Sequence, residues 1–330
     1  MGSIEDLCAQ LDKALGPNAA KQSVTKFIDT GFPMLNKTIS GRYDGGLPFG
    51  RLVECYGPSS SGKTSMATQW MVQAQQLGGV AIFVDWERSF DVDLAKGFGL
   101  NDERPYWLYA QPKTWEAGNI FAAKACQVIR QNGAIDPNAP ILVVFDSIAS
   151  AVPRSMAEKE IDTYTMNDTT ALARVASTTL KSMAHHASNF NATFLYLNQI
   201  RTRPNIAYGD ATTTPGGVAM EFYATVRMQL SRRKITDASK EFTGQTINIK
   251  CTKSKLTKPF QECALDMVYD DLGVARFDAV GSTLNALIEQ KKVATAGPRV
   301  VWDDKTYWKK DLLKKINEEG GMAVLQPLFS

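Results

Sequence analysis

The chain has 330 residues, 44% of them hydrophobic and 22% charged, with a formal net charge of +3. Composition of this kind is ordinary for a globular protein with a full core, and one large domain with a smaller appendage is expected. The charge is too weak to argue for nucleic acid by itself, and no apolar run approaches the ~20 residues of a membrane span.

Near the N-terminus, residues 4–15 place Ile4, Leu7, Cys8, Leu11 and Leu15 at helical spacing with charges between them. Ser3 followed by Asp6 resembles a helix start, and Gly16-Pro17-Asn18 ends the helix. Glu5 and Asp6 stand where a secretion signal would carry a basic region. A lone amphipathic helix cannot bury its own face, so it is expected to dock on its own core or on a neighbouring subunit. Thr30 to Gly50 is rich in glycine and reads as loops and turns.

Arg51 to Tyr56 then reads as a buried strand, Gly57 to Ser65 is GPSSSGKTS, and Met66 to Val72 has helical periodicity. Strand, glycine loop and helix form the context in which G-x-x-x-x-G-K-[ST] binds phosphate. Here Gly57, Pro58, Ser59, Ser60, Ser61, Gly62, Lys63, Thr64 and Ser65 would cradle a polyphosphate. Backbone N–H groups and the helix N-terminus would favour its charge. Lys63 would reach the β- and γ-phosphates, and the Thr64 hydroxyl would ligate Mg²⁺.

Strands and helices alternate beyond this point. Strands are expected at 80–84, 107–109, 140–146 and 192–199, with helices at 119–131 and 169–187. Such alternation predicts an α/β fold with a mostly parallel central sheet covered on both faces. Ligands bind at the carboxyl ends of such strands, where Glu87, Asp146 and Gln199 fall. Asp146 is the candidate second acid on Mg²⁺. Glu87 is the candidate for activating an attacking water, with Asp85 as its competitor. Gln199 is the candidate γ-phosphate sensor, able to pass its presence into the following loop. From Ala224 the pattern changes, and segments 225–230, 245–250 and 264–269 alternate like antiparallel strands. A helix at 283–291, short strands near 300–302 and 306–308 and a basic helix at 309–318 form a small C-terminal α/β domain. The expected division is 1–32 for helix and linker, 33–276 for the core and 277–330 for that domain.

Two polar stretches lack periodicity, 155–168 and 200–217, and the second carries Arg201 and Arg203 at its entry and Gly216-Gly217 at its end. Loops this long are usually functional or disordered. Arginines with glycine-turn donors suit a sugar-phosphate chain. The five cysteines are scattered and lack any C-x-x-C pair, which argues against a disulfide framework or zinc site and for a reducing compartment. The two histidines, His185 and His186, are adjacent, which disfavours a histidine triad.

The order GPSSSGKT, VDWE, VVFDS, NQIR, TTTPGGVAMEFYATVR and KCTKSKLTKPF, approached by GGLPFGRLVECYGP, resembles the bacterial and phage RecA-type homologous recombinase family. The resemblance runs continuously over about 24–275, and more loosely near Ala296-Gly297. NQIR, the Gly-Gly loop and the paired K-x-K are its specific parts. It implies a RecA-like P-loop ATPase core using ATP and Mg²⁺, with catalytic roles for Glu87, Lys63 and Gln199 and metal support from Thr64 and Asp146. Lys253 and Lys255 would reach into the neighbouring subunit's nucleotide site. Two DNA-binding loops would lie at about 157–168 and 201–217, with Arg174, Lys181, Arg201, Arg203, Gly216 and Gly217 as contacts. Phe222 would be an interface aromatic, the N-terminal helix would dock on the adjacent subunit, and Arg232, Arg233 and Lys250 look similar to a secondary DNA site. The implied partners are single- and double-stranded DNA, further copies of the chain in a helical filament, and single-strand-binding and loader proteins. The implied location is the cytoplasm of a bacterial or phage-infected cell.

The chain departs from the family pattern at Leu94, where an aromatic usually stacks on adenine, and at Pro204, Pro215 and Val218 in or beside the second loop. It ends at Ser330 without the acidic tail common in cellular members, which with these departures points to a phage or plasmid homologue. The expected activity is DNA-stimulated ATP hydrolysis coupled to homologous pairing and strand exchange. Its rivals are a ring-forming RecA-core helicase or ATPase, a non-catalytic ATP-binding filament scaffold, and a small-molecule kinase.

Overall fold

The computed structural model describes residues 3–15, 23–160, 170–202, 212–237, 239–270 and 273–329. The first helix, α1 (Ile4–Leu15), opens on reciprocal bonds: the Asp6 amide donates to Ser3 Oγ at 3.1 Å and the Ser3 amide to Asp6 Oδ2 at 3.0 Å. These satisfy two otherwise orphaned donors. Ile4, Cys8 and Ala14 on this helix are exposed.

The segment expected to be all loop holds a helix, which corrects that expectation. Between the paired strands β1 (Phe27–Ile28) and β2 (Leu47–Pro48) runs α2 (Pro33–Ser40). Pro33 sits in its first turn, where the missing N–H costs nothing, and Gly41 closes it at φ 81. Burial of Leu35 and Ile39 supplies the stability that eight residues cannot supply alone.

The main alternation follows: β3 (Leu52–Gly57), α3 (Lys63–Gln76), β4 (Val80–Asp85), α4 (Val92–Gly97), β5 (Trp107–Ala110), α5 (Trp115–Asn132) and β6 (Ile141–Asp146). Next come α6 (Arg154–Ala157), α7 (Ala171–Phe190), β7 (Ala192–Gln199), the short strands β8 (Arg201–Thr202) and β9 (Thr212–Thr213), and α8 (Ala219–Tyr223). The helix α4 was not foreseen; the Asp91 side chain caps it by accepting from the Asp93 and Leu94 amides. The antiparallel strands are β10 (Val226–Thr236), β11 (Phe242–Ser254), β12 (Gln261–Tyr269) and β13 (Ala275–Phe277). The chain closes with α9 (Ala279–Glu289), β14 (Thr295–Ala296), β15 (Arg299–Trp302), β16 (Lys305–Tyr307), α10 (Lys309–Glu318) and α11 (Met322–Leu325).

Among the described residues one sheet has nine strands in the order β13-β12-β11-β10-β3-β7-β6-β4-β5. From β10 to β5 every neighbouring pair is parallel; from β10 to β13 every pair is antiparallel. The inner parallel strands β3, β4, β6 and β7 are buried on both faces. Val53, Cys55, Phe83 and Leu197 pack with Trp70 and Met71 of α3 and Leu35 of α2 on one side. Ile82, Val143, Phe145 and Tyr196 pack with Trp115 of α5 and Leu180 of α7 on the other. That explains why these strands read as unbroken apolar runs. A third cluster joins Leu284, Leu287, Val300, Leu312 and Ile316, with Met34 and Tyr43 packed against it. Among the described residues no helix is long and apolar enough to cross a membrane.

Candidate functional site

Register brings the carboxyl ends of the parallel strands together. Gly57 at the end of β3 pairs with Gln199 at the end of β7, and Asp85 of β4 pairs with Asp146 of β6. The loop between β3 and α3 rises from these ends, and Gly62 at φ 87 turns it into the helix. Gly57 is required for another reason: a Cβ there would lie 2.4 Å from the Leu230 carbonyl oxygen of β10.

A cleft of about 270 Å³ opens on the loop, lined by Ser59, Ser60, Gly62, Lys63, Thr64, Ser65, Glu87, Asp146 and Gln199. Lys63 is buried, and its ammonium donates to the carbonyls of Gly57 at 3.1 Å and Pro58 at 2.8 Å. Burial pushes the Lys63 pKa below its ordinary value, against the opposing pull of Asp146 and Glu87. The Thr64 hydroxyl donates to Asp146 Oδ2 at 2.9 Å. Asp146 is raised to about 7, chiefly by burial, which outweighs the Thr64 bond, and also by Glu87 and Asp85 nearby.

The donor set fits a polyphosphate carrying a divalent cation. Loop amides, the α3 N-terminus and Lys63 offer positive charge. Thr64 and Asp146 offer oxygens to a hard cation. Among the described residues no self-contained cluster of metal-binding side chains exists. A cation held here would complete its shell from phosphate oxygens and water, as Mg²⁺ does. Ser61 differs from its neighbours: its Oγ is buried without a hydrogen-bond partner and packs beneath Gly57.

Glu87 and Asp85 divide cleanly. Asp85 is buried, and its carboxylate accepts from the amides of Arg88 at 2.6 Å and Phe90 at 3.3 Å and from the Tyr109 hydroxyl at 2.8 Å. It is committed to holding the turn after β4. Glu87 is exposed to the cleft; its amide donates to the Asp146 carbonyl at 3.1 Å and its Oε2 accepts from Ser147 Oγ at 3.3 Å.

Arg232, Gln245, Met267 and Tyr269 also line the cleft, and sequence reasoning did not place them there. They arrive because β10, β11 and β12 run past the end of β3 and fold over the loop, with Ile247 against Gly62. Strand alternation splits the expected secondary cluster. Arg232 faces the cleft at the glycine loop, Arg233 lines a separate pocket with Asp266 and Lys309, and Lys250 pairs with Glu262 at 2.8 Å. Leu94 is exposed on α4 and is absent from the cleft lining.

Lys253 and Lys255 lie outside this cleft. The Lys253 ammonium donates to the carbonyls of Glu221 and Phe222, and that of Lys255 to Phe222 at 3.3 Å. Burial, then Lys255 and Arg227, lower Lys253 to about 8. Phe222 beside them is 69% exposed. Arg174, Lys181 and Arg201 are exposed. Gly216 and Gly217 adopt φ 88 and 71, and a Cβ on Gly217 would lie 3.0 Å from the Ala173 side chain, so the turn abuts α7 next to Arg174. The second loop stands on the antiparallel pair β8–β9. Arg203, Pro204 and most of both expected DNA loops lie outside the described residues.

Comparison with known proteins adds an independent line. The family model described as the RecA N-terminal domain matches residues 11–275. Protein RecA of Clostridium perfringens is 33% identical over 276 residues, covering 82% of this chain and 73% of its own. Protein RecA of Rubrobacter xylanophilus is 35% identical over 253 residues, covering 77% and 68%. Protein RecA of Saccharopolyspora erythraea is 31% identical over 301 residues, covering 89% and 81%. With a family model matched over most of its length and relatives of this likeness, the chain belongs to the RecA family of recombinases.

Proposed function

We propose that this chain is an ATP-dependent DNA recombinase. It assembles as a helical filament on single-stranded DNA, hydrolyses ATP in response to DNA, and catalyses homologous pairing and strand exchange. The carrying observation is the convergence of Lys63, Thr64, Asp146, Glu87 and Gln199 on one cleft at the carboxyl ends of adjacent parallel strands. In this reading the residues of 57–65 hold the triphosphate, and the phosphates compete with the Gly57 and Pro58 carbonyls for the Lys63 ammonium. Thr64 and Asp146 would hold Mg²⁺, which when bound would supply positive charge to the phosphates. Glu87, anchored through Ser147, orients and deprotonates water. Gln199 senses the γ-phosphate at the root of the second loop.

Lys253 and Lys255 stand beside exposed Phe222, away from their own chain's cleft, which supports a role in a neighbour's site. A surface that meets a different surface on the next copy builds an open filament when the rotation does not close. The exposed Ile4 and Cys8 of α1 fit the same assembly. Arg174, Lys181, Arg201, Arg203, Gly216 and Gly217 contact DNA, and the setting is the cytoplasm of a bacterial or phage-infected cell, with single-strand-binding and loader proteins as partners.

Joint-molecule formation between a single strand and a homologous duplex tests the reading. The protein with ATP and Mg²⁺ is expected to form joint molecules, and Lys63→Ala to form none. Absence of pairing by the wild-type protein on saturated single strands would overturn it.

A further inference from the structure

Glu54 lies on β3, three residues before the phosphate loop, with its side chain 0% exposed. A carboxylate there is costly to desolvate, and apolar residues in place of it and its partner together would often serve stability as well. Both oxygens are engaged. Oε2 accepts from Arg227 Nε at 2.5 Å, and Oε1 from Asn198 Nδ2 at 2.9 Å.

Each partner reaches further. Asn198 immediately precedes Gln199; its Oδ1 accepts from the Gln199 amide at 3.0 Å, and its Nδ2 also donates to the Pro215 carbonyl at 3.0 Å. Arg227 stacks over the Tyr56 ring at 4.9 Å and extends its outer nitrogens to Thr214 Oγ1 at 3.5 Å and Glu221 at 3.4 Å. The Glu221 carbonyl in turn holds Lys253. These bonds close a circuit between three places that contribute to one reaction. They are the end of β7 at the cleft, the C-terminal root of the second loop, and the strand carrying Lys253.

We propose that buried Glu54 and its half-buried partner Arg227, with Asn198, form a positioning relay. It transmits the position of Gln199 to the 212–215 segment and to Lys253. None of the three is a catalytic residue, because none lines the cleft. The relay rests on the nucleotide-site reading above. Its physical basis is satisfaction: every buried group in the circuit is paired, so a shift of one partner strands another, and the segments move together.

The test uses the full chain. N-methylanthraniloyl-ATP affinity, ATP turnover with and without single strands, and amide hydrogen exchange are measured for the wild type and Arg227→Lys, which keeps the charge but removes the fork. In the wild type, Mg²⁺ and a non-hydrolysable ATP analogue are expected to slow exchange across 212–223 by about tenfold, the scale of an ordinary site-to-site coupling. The variant is expected to keep nucleotide affinity within about threefold, to lose that slowing, and to lose about tenfold or more of its DNA-stimulated turnover. A merely structural role would instead lower the unfolding midpoint and all activities in parallel, and that result overturns the relay. So does a folded variant that keeps both the slowing and the stimulation. Should Arg227→Lys fail to fold, Thr214→Val decides, since it leaves the ion pair intact and cuts one link to the loop. Unchanged nucleotide-dependent exchange at 212–215 in that variant overturns the proposal. A wild type that binds nucleotide yet ignores DNA sinks the recombinase reading and leaves the exchange result to judge the relay. A wild type that binds no nucleotide sinks both.

Discussion

Asp85 and Glu87 are two residues apart, and their surroundings separate their chemistry. Asp85 spends its oxygens on two amides and a tyrosine hydroxyl, whereas Glu87 faces the cleft beside Asp146 and Ser147. Glu87→Gln is therefore expected to lower ATP turnover by about 10²- to 10⁴-fold while nucleotide affinity holds, the signature of a lost general base. Parallel loss of affinity would reassign the residue to binding. Lys253 offers a pH test. Its value is lowered from 10.5 to about 8, so the neutral, nucleophilic amine appears at lower pH than on an unperturbed lysine. Competitive acylation followed by mass spectrometry should show Lys253 reaching half-maximal reactivity near pH 8, and a midpoint near 10.5 would contradict its burial beside Lys255 and Arg227. Gly57→Ala drives a Cβ to 2.4 Å from the Leu230 carbonyl, a backbone atom that cannot swing aside. A loss of about 1–3 kcal/mol in unfolding free energy is expected, as for overpacking elsewhere; a neutral result would mean that β3 and β10 can part.

Elements were legible in the sequence to the degree that burial on two faces left a continuous apolar run. β3, β4, β6 and β7 stand close to where Arg51–Tyr56, Val80–Val84, Pro140–Asp146 and Ala192–Gln199 place them. The helix α2 was hidden among glycines, although Pro33 in its first turn and Gly41 at its end were its proper start and stop signals. β10 and β11 extend well beyond the apolar alternation, because residues 231–236 of β10 leave the core and are mostly solvated, which erases the pattern. The divergence of Arg232 from Arg233 follows from strand alternation, whereas the arrival of Tyr269 at the cleft needed the β11–β12 register, which no local pattern carries. At this scale α1 is the testable element. Its described side chains are exposed, so removing residues 1–22 should leave the unfolding midpoint of the remaining chain nearly unchanged and abolish long filaments under the electron microscope. Filaments of normal length without α1 would remove it from the subunit contact.

The whole molecule places a parallel α/β half, where Lys63, Thr64, Glu87, Asp146 and Gln199 gather, beside an antiparallel extension that reaches over the loop, with a third core cluster built largely from 280–329. Net charge is only +3, so in the proposed reading attraction to DNA would rest on local basic residues, Arg174, Lys181 and Arg201 among those described. Affinity for single strands is expected to fall steeply with salt, by a log–log slope of about 0.7 per phosphate neutralised. Salt-insensitive binding would contradict that placement. The central claim is that nucleotide chemistry at Glu87 answers to DNA through the Gln199 loop. It is tested most directly by ATP hydrolysis on the purified full chain with and without single-stranded DNA at low salt. Strong stimulation is the predicted result. Turnover indifferent to DNA that the protein demonstrably binds would contradict it.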